Sequence, residues 1–178
     1  MIKIVQKDDP VLRKIAKEVP VEEIGSKKIQ KIIQDMQTAL DLCDDGVAIA
    51  APQIGIPLRI FMVSPRAFLK ETETMTESEV KATKHPVFIN PKILKLSSKT
   101  AKLDEGCLSV RGIFGKVRRA EKATIEAYDE GGKKITRGAS GLLAEIFQHE
   151  IDHLEGILFI DSANELYQIL KDDEGGKK

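Results

Sequence analysis

Two of the three histidines of this chain lie in one short stretch, FQHEIDHLEG, where Glu150 stands between His149 and His153. Residues four apart on an α-helix share a face, so both imidazoles could bind one metal ion. Glu150 could then reach a water molecule at that metal without binding the metal itself. The pattern also occurs on helices whose histidines merely face solvent. Taken alone, it predicts a metal site with an adjacent general base.

A catalytic metal site needs a third protein ligand and one open position. Upstream, the stretch DEGCLSV places Cys107 at the edge of an expected strand, and a thiolate with two imidazoles is a suitable soft ligand set. Cys43 could complete a closed, structural site, but it falls on the apolar stripe of a helix, where buried free cysteine is common. A ligating glutamate, as in a small zinc metalloprotease, is the other alternative, and the candidates downstream are Glu155, Glu165 and Glu174.

The expected helices place these residues. SGLLAEIFQHEIDHLEG predicts the helix that carries both histidines, with Ser140 as its N-cap and Gly156 as its end. Apolar residues recur at helical spacing from Val21 to Cys43, which predicts a long amphipathic helix. A short helix is expected over DDPVLRKIAKEV, capped by Asp9, and a last one from Ala163 to Leu170.

Strand patterns fill the middle of the chain. RIFMVS is one expected strand, and VFINP and KILKLSS are two more, with a turn at Asn90 and Pro91 between them. KATIEAYDEGGKKITRGA predicts a hairpin. Residues 70–85 are polar and predict an exposed insertion, in which His85 is expected to have no role. The fold class expected is α+β, with antiparallel strands around the central helix that carries His149 and His153.

Composition narrows the function classes. At 178 residues we expect a single domain, 1–178, with a flexible tail over 172–178. Basic and acidic residues both number 28, which gives no field that favours DNA. The chain has no apolar run of membrane-spanning length and no signal-peptide pattern at its start. Its two cysteines form no disulfide framework, so we expect a cytoplasmic protein.

Three stretches resemble the signature motifs of the peptide deformylases, and they occur in the order of that family. They are GVAIAAPQ at 46–53, EGCLS at 105–109 and QHEIDHLEG at 148–156. The resemblance implies an enzyme that removes the formyl group from the N-terminal formylmethionine of newly synthesised polypeptides. It also implies one divalent metal ion, Fe(II) in the cell, which zinc, nickel or cobalt can replace.

The resemblance implies roles for individual residues. Glu150 handles the proton of the attacking water, and the side-chain amide of Gln53 and the backbone N–H of Leu108 stabilise the oxyanion. In the family the first motif pairs with the substrate backbone as an added strand. The main-chain groups implied here are those of Gly46, Val47 and Ala48.

Further features concern the pocket around the metal. Leu142 and Ile146 share a helical face with the histidines and are expected to line the pocket for the methionine side chain, or else to be ordinary core residues. By resemblance, Arg119 pairs with Glu105 to brace this pocket. The family usually has glycine where this chain has Ala48, and we expect the added methyl to narrow the cleft.

The partners expected are N-formylmethionyl peptides and, weakly, the ribosome, since the C-terminal stretch mixes acidic residues with its lysines. A small zinc metalloprotease with the same two-histidine pattern is one alternative function. A non-catalytic protein that binds formylated or free methionine N-termini is another. Neither DNA nor a membrane is an expected partner.

Overall fold

The computed structural model describes residues 2–69 and 73–168. Within these ranges it has three α-helices: α1 Lys27–Asp41, α2 Glu77–Ala82 and α3 Leu142–Leu154. The same ranges contain eight strands: β1 Ala48–Ala50, β2 Ile60–Val63, β3 Val87–Leu96, β4 Thr100–Gly106, β5 Ile113–Ala120, β6 Lys122–Tyr128, β7 Lys134–Ser140 and β8 Asn164–Gln168. Every pair of neighbouring strands is antiparallel. Together with the helices, this agrees with the predicted α+β class. That the whole chain forms one domain stays a prediction.

The strands form two sheets. The larger sheet has five strands in the order β1-β2-β3-β6-β7, which makes β1 an outer strand. The smaller sheet has three strands in the order β4-β5-β8. The predicted hairpin is confirmed, with β6 and β7 in register from Lys122 opposite Ser140 to Tyr128 opposite Lys134.

The two long helices pack on opposite faces of the five-stranded sheet. Successive side chains of a strand point to opposite faces, and the strands obey this alternation. Ile49, Ile60 and Met62 are buried with α1, whereas Phe61 and Val63 are buried with α3. Helix α1 owes its burial to an apolar stripe, and it begins at Lys27 because the Ser26 hydroxyl accepts a hydrogen bond from the Ile29 N–H. The predicted helix from Val21 is therefore too long, since Val21–Glu23 forms a separate 3₁₀ turn.

The prediction of a C-terminal helix from Ala163 is wrong for the described residues. Asn164–Gln168 forms strand β8, which pairs antiparallel with β5. The pattern of apolar residues is too short there to separate the two structures, and the open edge of β5 supplies hydrogen-bond partners that an isolated helix would lack. The predicted flexible tail, 172–178, lies outside the described residues.

The predicted turn at Asn90 and Pro91 is also wrong, because β3 runs through both residues. Asn90 takes a positive φ of 51°, and the register with β6 shifts between Ile89 and Lys92. The Asn90 side chain accepts a hydrogen bond from the Val19 N–H at 2.8 Å and donates one to the Val19 carbonyl at 2.7 Å. These bonds hold the bulge in place and satisfy both buried backbone groups of Val19.

The predicted insertion at 70–85 is only partly confirmed, and its residues 70–72 lie outside the described part of the chain. Most of the described side chains are exposed, but Val80 on α2 and His85 are buried. The His85 Nδ1 lies 3.1 Å from the Thr83 carbonyl, and Nε2 lies 3.1 Å from the Asp41 carboxylate. His85 therefore has a structural contact with the end of α1, contrary to the prediction that it has no role.

Helix boundaries near the chain's two ends depart from the predictions in detail. Asp9 is confirmed as an N-cap, but its helix is one 3₁₀ turn, Pro10–Arg13. Ser140 ends β7, and Gly141, at a φ of 58°, is the residue before α3. Gly156 follows α3 at a φ of 75°, as predicted for a helix end. Within residues 2–69 and 73–168, the helices are too short or too polar to span a bilayer.

Candidate metal centre and substrate cleft

Helix α3 and the turn after β4 bring three potential metal ligands together. His149 and His153 lie one turn apart on α3, and Cys107 approaches them from the end of β4. One ligand atom from each residue lies within 4.8 Å of the other two, and Cys107 Sγ is 3.2 Å from His153 Nε2. The structure thus joins residues that are more than 40 positions apart in the chain.

Cys107 is held by the backbone of a tight turn. The Val110 N–H donates to the Cys107 carbonyl at 3.0 Å, and the Ser109 N–H donates to Sγ at 3.4 Å. Burial by itself would raise the pKa of the thiol, but the imidazoles of His153 and His149 hold that pKa well below its usual range. The site therefore favours a thiolate, which is the form that binds metal.

The alternative ligands lie elsewhere or have other partners. Cys43 is buried at the end of α1, where its Sγ is 3.4 Å from Arg111 Nη2. Glu155 accepts a 2.7 Å hydrogen bond from Arg59, and Glu165 is part of β8. Glu174 lies outside the described residues. The metal-ligand grouping found in the described residues excludes Cys43 and both described glutamates.

A buried ion network orients the first histidine. His149 Nδ1 donates to Glu105 Oε2 at 2.9 Å, which leaves Nε2 to face the other ligand atoms. Arg119 donates twice to Glu105, at 2.6 and 3.0 Å, so the pairing predicted for these two residues is confirmed. Arg119 also donates to Asp152 at 2.6 Å, which ties the network back to α3. Asp152 therefore contacts Arg119 and does not belong to the group of potential ligands.

The charges of this network are matched despite their burial. Glu105 is 2% exposed and Arg119 is 7% exposed. Burial would raise the pKa of Glu105, but the hydrogen bonds from His149 and Arg119 lower it to about 2. Glu105 is thus ionised at neutral pH and can fix the tautomer of His149.

Glu150 lies in the cleft with one oxygen free. Its side chain is buried, and in the part of the chain that the structure describes Oε2 has no hydrogen-bond partner. Burial raises the pKa of this carboxyl to about 7. A carboxyl group with such a pKa can both accept and release a proton at neutral pH.

Two further groups can donate hydrogen bonds near Cys107. The Gln53 side chain accepts from the Ala50 N–H at 2.8 Å through Oε1, which directs its amide nitrogen toward Ser109 Oγ, at 3.2 Å, and Cys107 Sγ, at 3.5 Å. The Leu108 carbonyl accepts from Gln6, whereas its N–H makes no hydrogen bond to the described residues. Both predicted oxyanion donors therefore lie beside the ligand set.

A cleft of about 300 Å³ opens at these groups. One side is formed by the loop before β1 and by β1 itself, through Gly46, Val47 and Ala48. Leu142 and Ile146 line the cleft from α3, and their role as walls of the methionine pocket stays a prediction. The sequence reasoning did not find the remaining wall, which includes Glu145, Arg111, Ile113 and Phe114. Since β1 is an outer strand, its unpaired side is available to an extended peptide.

The comparison with family models agrees with this geometry. Residues 1–168 match the model described as polypeptide deformylase. The chain belongs to the polypeptide deformylase family. Its three motifs are the segments that bring the ligand set, Gln53 and Glu150 to one cleft.

Individual deformylases resemble the chain over most of its length. It is 42% identical over 166 residues to "Peptide deformylase 1A, chloroplastic" of Solanum lycopersicum, an alignment that covers 89% of this chain and 58% of that relative. The chain thus spans less than two thirds of that protein. A peptide deformylase structure from Legionella pneumophila has a TM-score of 0.77 at 37% identity, covering 92% of this chain and 86% of the other. A Met-Ala-Ser-bound class I type b deformylase structure from Acinetobacter baumannii has a TM-score of 0.76 at 31% identity, covering 91% and 98%.

Ala48 departs from the usual deformylase motif, and it lies where the cleft meets the apolar core. Ala48 is in β1, with the extended backbone expected of a strand. Its side chain is 6% exposed and belongs to the apolar cluster that β1 forms with Phe147 and Ile151 of α3. The strand alternation thus turns the methyl group toward α3, and that it narrows the cleft stays a prediction.

Gln148, whose role the sequence reasoning missed, joins α3 to β5. Its Oε1 accepts from the Ala120 N–H at 2.9 Å, and its Nε2 donates to the Ala120 carbonyl at 3.0 Å. The Gln148 amide thus makes, with the backbone of Ala120, the two hydrogen bonds that a residue of a neighbouring strand would make. An amide on the buried face of an apolar helix was the available signal, since such a group must find partners inside the deformylase core.

Proposed function

We propose that this chain hydrolyses the formyl group from the N-terminal formylmethionine of newly synthesised polypeptides and releases formate. The observation that carries the proposal is the convergence, in one cleft, of a Cys107–His149–His153 ligand set with Glu150 and the Gln53 amide. Membership of the deformylase family supports the same reaction. The Met-Ala-Ser tripeptide in the Acinetobacter baumannii structure has the sequence expected of a product of this chemistry.

We propose that Cys107, His149 and His153 hold one divalent metal ion, Fe(II) in the cell, which zinc, nickel or cobalt can replace. The residues fit such an ion because a thiolate and two imidazoles are soft ligands whose donor atoms lie within 4.8 Å of one another. The buried Oε2 of Glu150, which has no hydrogen-bond partner among the described residues, also fits a site in which a polar group faces it. When bound, the metal would supply Lewis-acid chemistry and would lower the pKa of water.

Glu150 would move the protons of the reaction. A water molecule adds to the formyl carbon and loses a proton to the Glu150 carboxylate, which later passes a proton to the leaving amine as the C–N bond breaks. The negative charge on the former carbonyl oxygen would be stabilised by hydrogen bonds from the Gln53 amide and the Leu108 N–H. The products are formate and a polypeptide with a free N-terminal methionine.

The substrate would bind as an extended strand along the outer edge of β1. Gly46, Val47 and Ala48 line the cleft at that edge, which supports main-chain pairing with the peptide. Leu142 and Ile146 would receive the methionine side chain from the α3 side. Because α3 also carries His149, the depth of this pocket would set where the formyl group lies relative to the ligand set.

Formate release from formyl-Met-Ala-Ser tests the proposed reaction. We expect turnover of this peptide by the metal-loaded protein, no turnover of acetyl-Met-Ala-Ser, and no cleavage of internal bonds in unfolded casein. Cleavage of casein without formate release would support the zinc metalloprotease. Tight binding of the formylated peptide without turnover, in protein that carries one metal per chain, would support the non-catalytic binder.

The family resemblance also bears on the location of the protein and on its macromolecular partner. Because formylated N-termini arise at translating ribosomes, we propose a cytoplasmic location and at most weak ribosome binding. The C-terminal stretch expected to bind only weakly includes residues 169–178, which lie outside the described part of the chain. Co-sedimentation with ribosomes in low and high salt tests this, and strong binding that disappears on truncation after Asp161 would contradict it.

A further inference from the structure

Strand β8 lies beside the wall of the cleft. In the pairing of β5 with β8, Phe114 stands opposite Tyr167, and their rings stack with centroids 6.0 Å apart and planes inclined by 23°. Phe114 lines the cleft together with its neighbour Ile113. A side chain of the last described strand therefore contacts one that borders the proposed substrate site.

Phe114 also covers the backbone that leads to the metal ligands. A Cβ atom added at Gly106 would lie 2.7 Å from Cε1 of the Phe114 ring, closer than carbon atoms can approach. The ring therefore rests directly on the main chain of Gly106, the residue before Cys107. Any movement of the Phe114 ring would change the cleft wall at the end of β4.

Tyr167 is fixed at both ends of its ring. The backbone of β8 is held by the ladder with β5, and the Tyr167 hydroxyl donates to Asp104 Oδ1 at 3.0 Å. Yet Tyr167 is 39% exposed and lies outside the three apolar clusters of the core. Its contact with Phe114 is thus better explained by local support of that ring than by a general contribution to the core.

We propose that Tyr167 is a positioning residue of the substrate cleft, which holds the Phe114 ring in place so that the wall beside Cys107 is formed before a peptide enters. That the occupant is a formylmethionyl peptide rests on the proposed function. If the wall is already ordered in the free protein, binding of the peptide loses less conformational entropy, and the affinity for the substrate is higher. Tyr167 acts through Phe114 and has no part in the proton transfers.

The test is the steady-state kinetics of formyl-Met-Ala-Ser hydrolysis by metal-loaded variants. We expect Tyr167→Ala to raise KM about threefold to tenfold, the factor that corresponds to the loss of one aromatic pair, with kcat within twofold of wild type. Tyr167→Phe loses the hydroxyl bond to Asp104 but keeps the stacked ring and the pairing of β8 with β5, so its KM should stay within twofold of wild type. The matched control is Leu166→Ala, which truncates an exposed side chain on the same strand that lies beside Gly115, its partner in the ladder.

A double variant decides whether the effect passes through Phe114. In a Phe114→Ala background, Tyr167→Ala should raise KM no further, because the ring that it supports is gone. An unchanged KM in Tyr167→Ala, an equal rise in Leu166→Ala, or additive effects in the double variant would each overturn the proposal. Absence of turnover in the wild-type protein would instead contradict the proposed function. In that case the affinity for Met-Ala-Ser replaces KM as the measured quantity. Tyr167→Ala, Tyr167→Phe and Leu166→Ala are then compared with wild type, and the double variant with Phe114→Ala, and the same outcomes decide the positioning role.

Discussion

Replacing Glu105 by glutamine probes the network behind the ligand set, because the change removes one charge and little volume. Glu105 accepts two hydrogen bonds from Arg119 and one from His149. After the change, the partly exposed Asp152 is the one charged partner that the buried guanidinium of Arg119 keeps among the described residues. His149 loses the charged acceptor that orients its ring. Both stability and metal affinity should therefore fall.

The size of the stability loss follows from the burial of the pair. Breaking a buried ion pair by removing one partner typically costs about 3–5 kcal/mol. The lowering of the Glu105 pKa from 4.5 to about 2 corresponds to about 3 kcal/mol at neutral pH. Since glutamine still fits the space, we expect the lower end, a loss of about 3 kcal/mol. The folded-state pKa lies below the unfolded-state one, so this contribution is present above about pH 4.5 and is lost as the pH falls toward 2.

Urea unfolding of metal-free protein at pH 7 measures the loss without a contribution from the ion. The control is Glu18→Gln, which breaks the exposed pair with Lys92 and should change the free energy of unfolding by less than about 0.5 kcal/mol. In a separate competition with a chelator, Glu105→Gln should lower metal affinity about tenfold to a hundredfold. If Glu105→Gln is as stable as Glu18→Gln and the wild-type protein, and binds metal as tightly as they do, the charge of Glu105 neither stabilises the fold nor orients His149.

The remaining predictions concern the ligands, the base and the first motif. Cys107→Ser should lose most of the bound metal, whereas Cys43→Ser should retain it, and equal loss in elemental analysis would favour a closed four-ligand site. Glu150→Ala should keep its metal while kcat for formate release falls by about two to four orders of magnitude, and near-normal turnover of the metallated variant would remove this residue from the proton transfers. Ala48→Gly should lower the free energy of unfolding by about 1–2 kcal/mol, since it removes a buried methyl and adds backbone freedom, and should leave KM nearly unchanged. A lower KM without a loss of stability in urea would show that the methyl narrows the cleft after all.

Local chemistry explains which parts of the site could be predicted from the sequence. His149, Glu150 and His153 fall on one helix, and the positions that neighbours occupy on a helix follow from its geometry alone. Cys107 is a candidate because a thiolate and two imidazoles form a suitable soft ligand set, although nothing in its spacing joins it to α3. The family resemblance favours the same choice, and the structure brings the three ligand atoms within reach of one another.

The predictions that failed concern residues whose partners are distant in the chain. The sequence predicts a turn at Asn90, but the Asn90 side chain bonds to Val19, and these bonds stabilise a bulge within one long strand. His85 looked like part of an exposed insertion, but the end of α1 covers it. In both cases the intrinsic preference of the residue is weak, and a contact more than forty residues away decides the outcome.

The sequence by itself determined the helix that carries two ligands, the polar or apolar character of each face, and the residue types able to bind a metal, because these depend on neighbours within one or two turns. Tertiary structure alone decided that Asn164–Gln168 is a strand, since the open edge of β5 supplies the hydrogen bonds that select it. It also decided that Arg119 links Glu105 to Asp152. Charged groups are stable in a core only when they are paired with opposite charges. The partners are distant in the sequence, so no local pattern predicts which of them the fold will bring into contact.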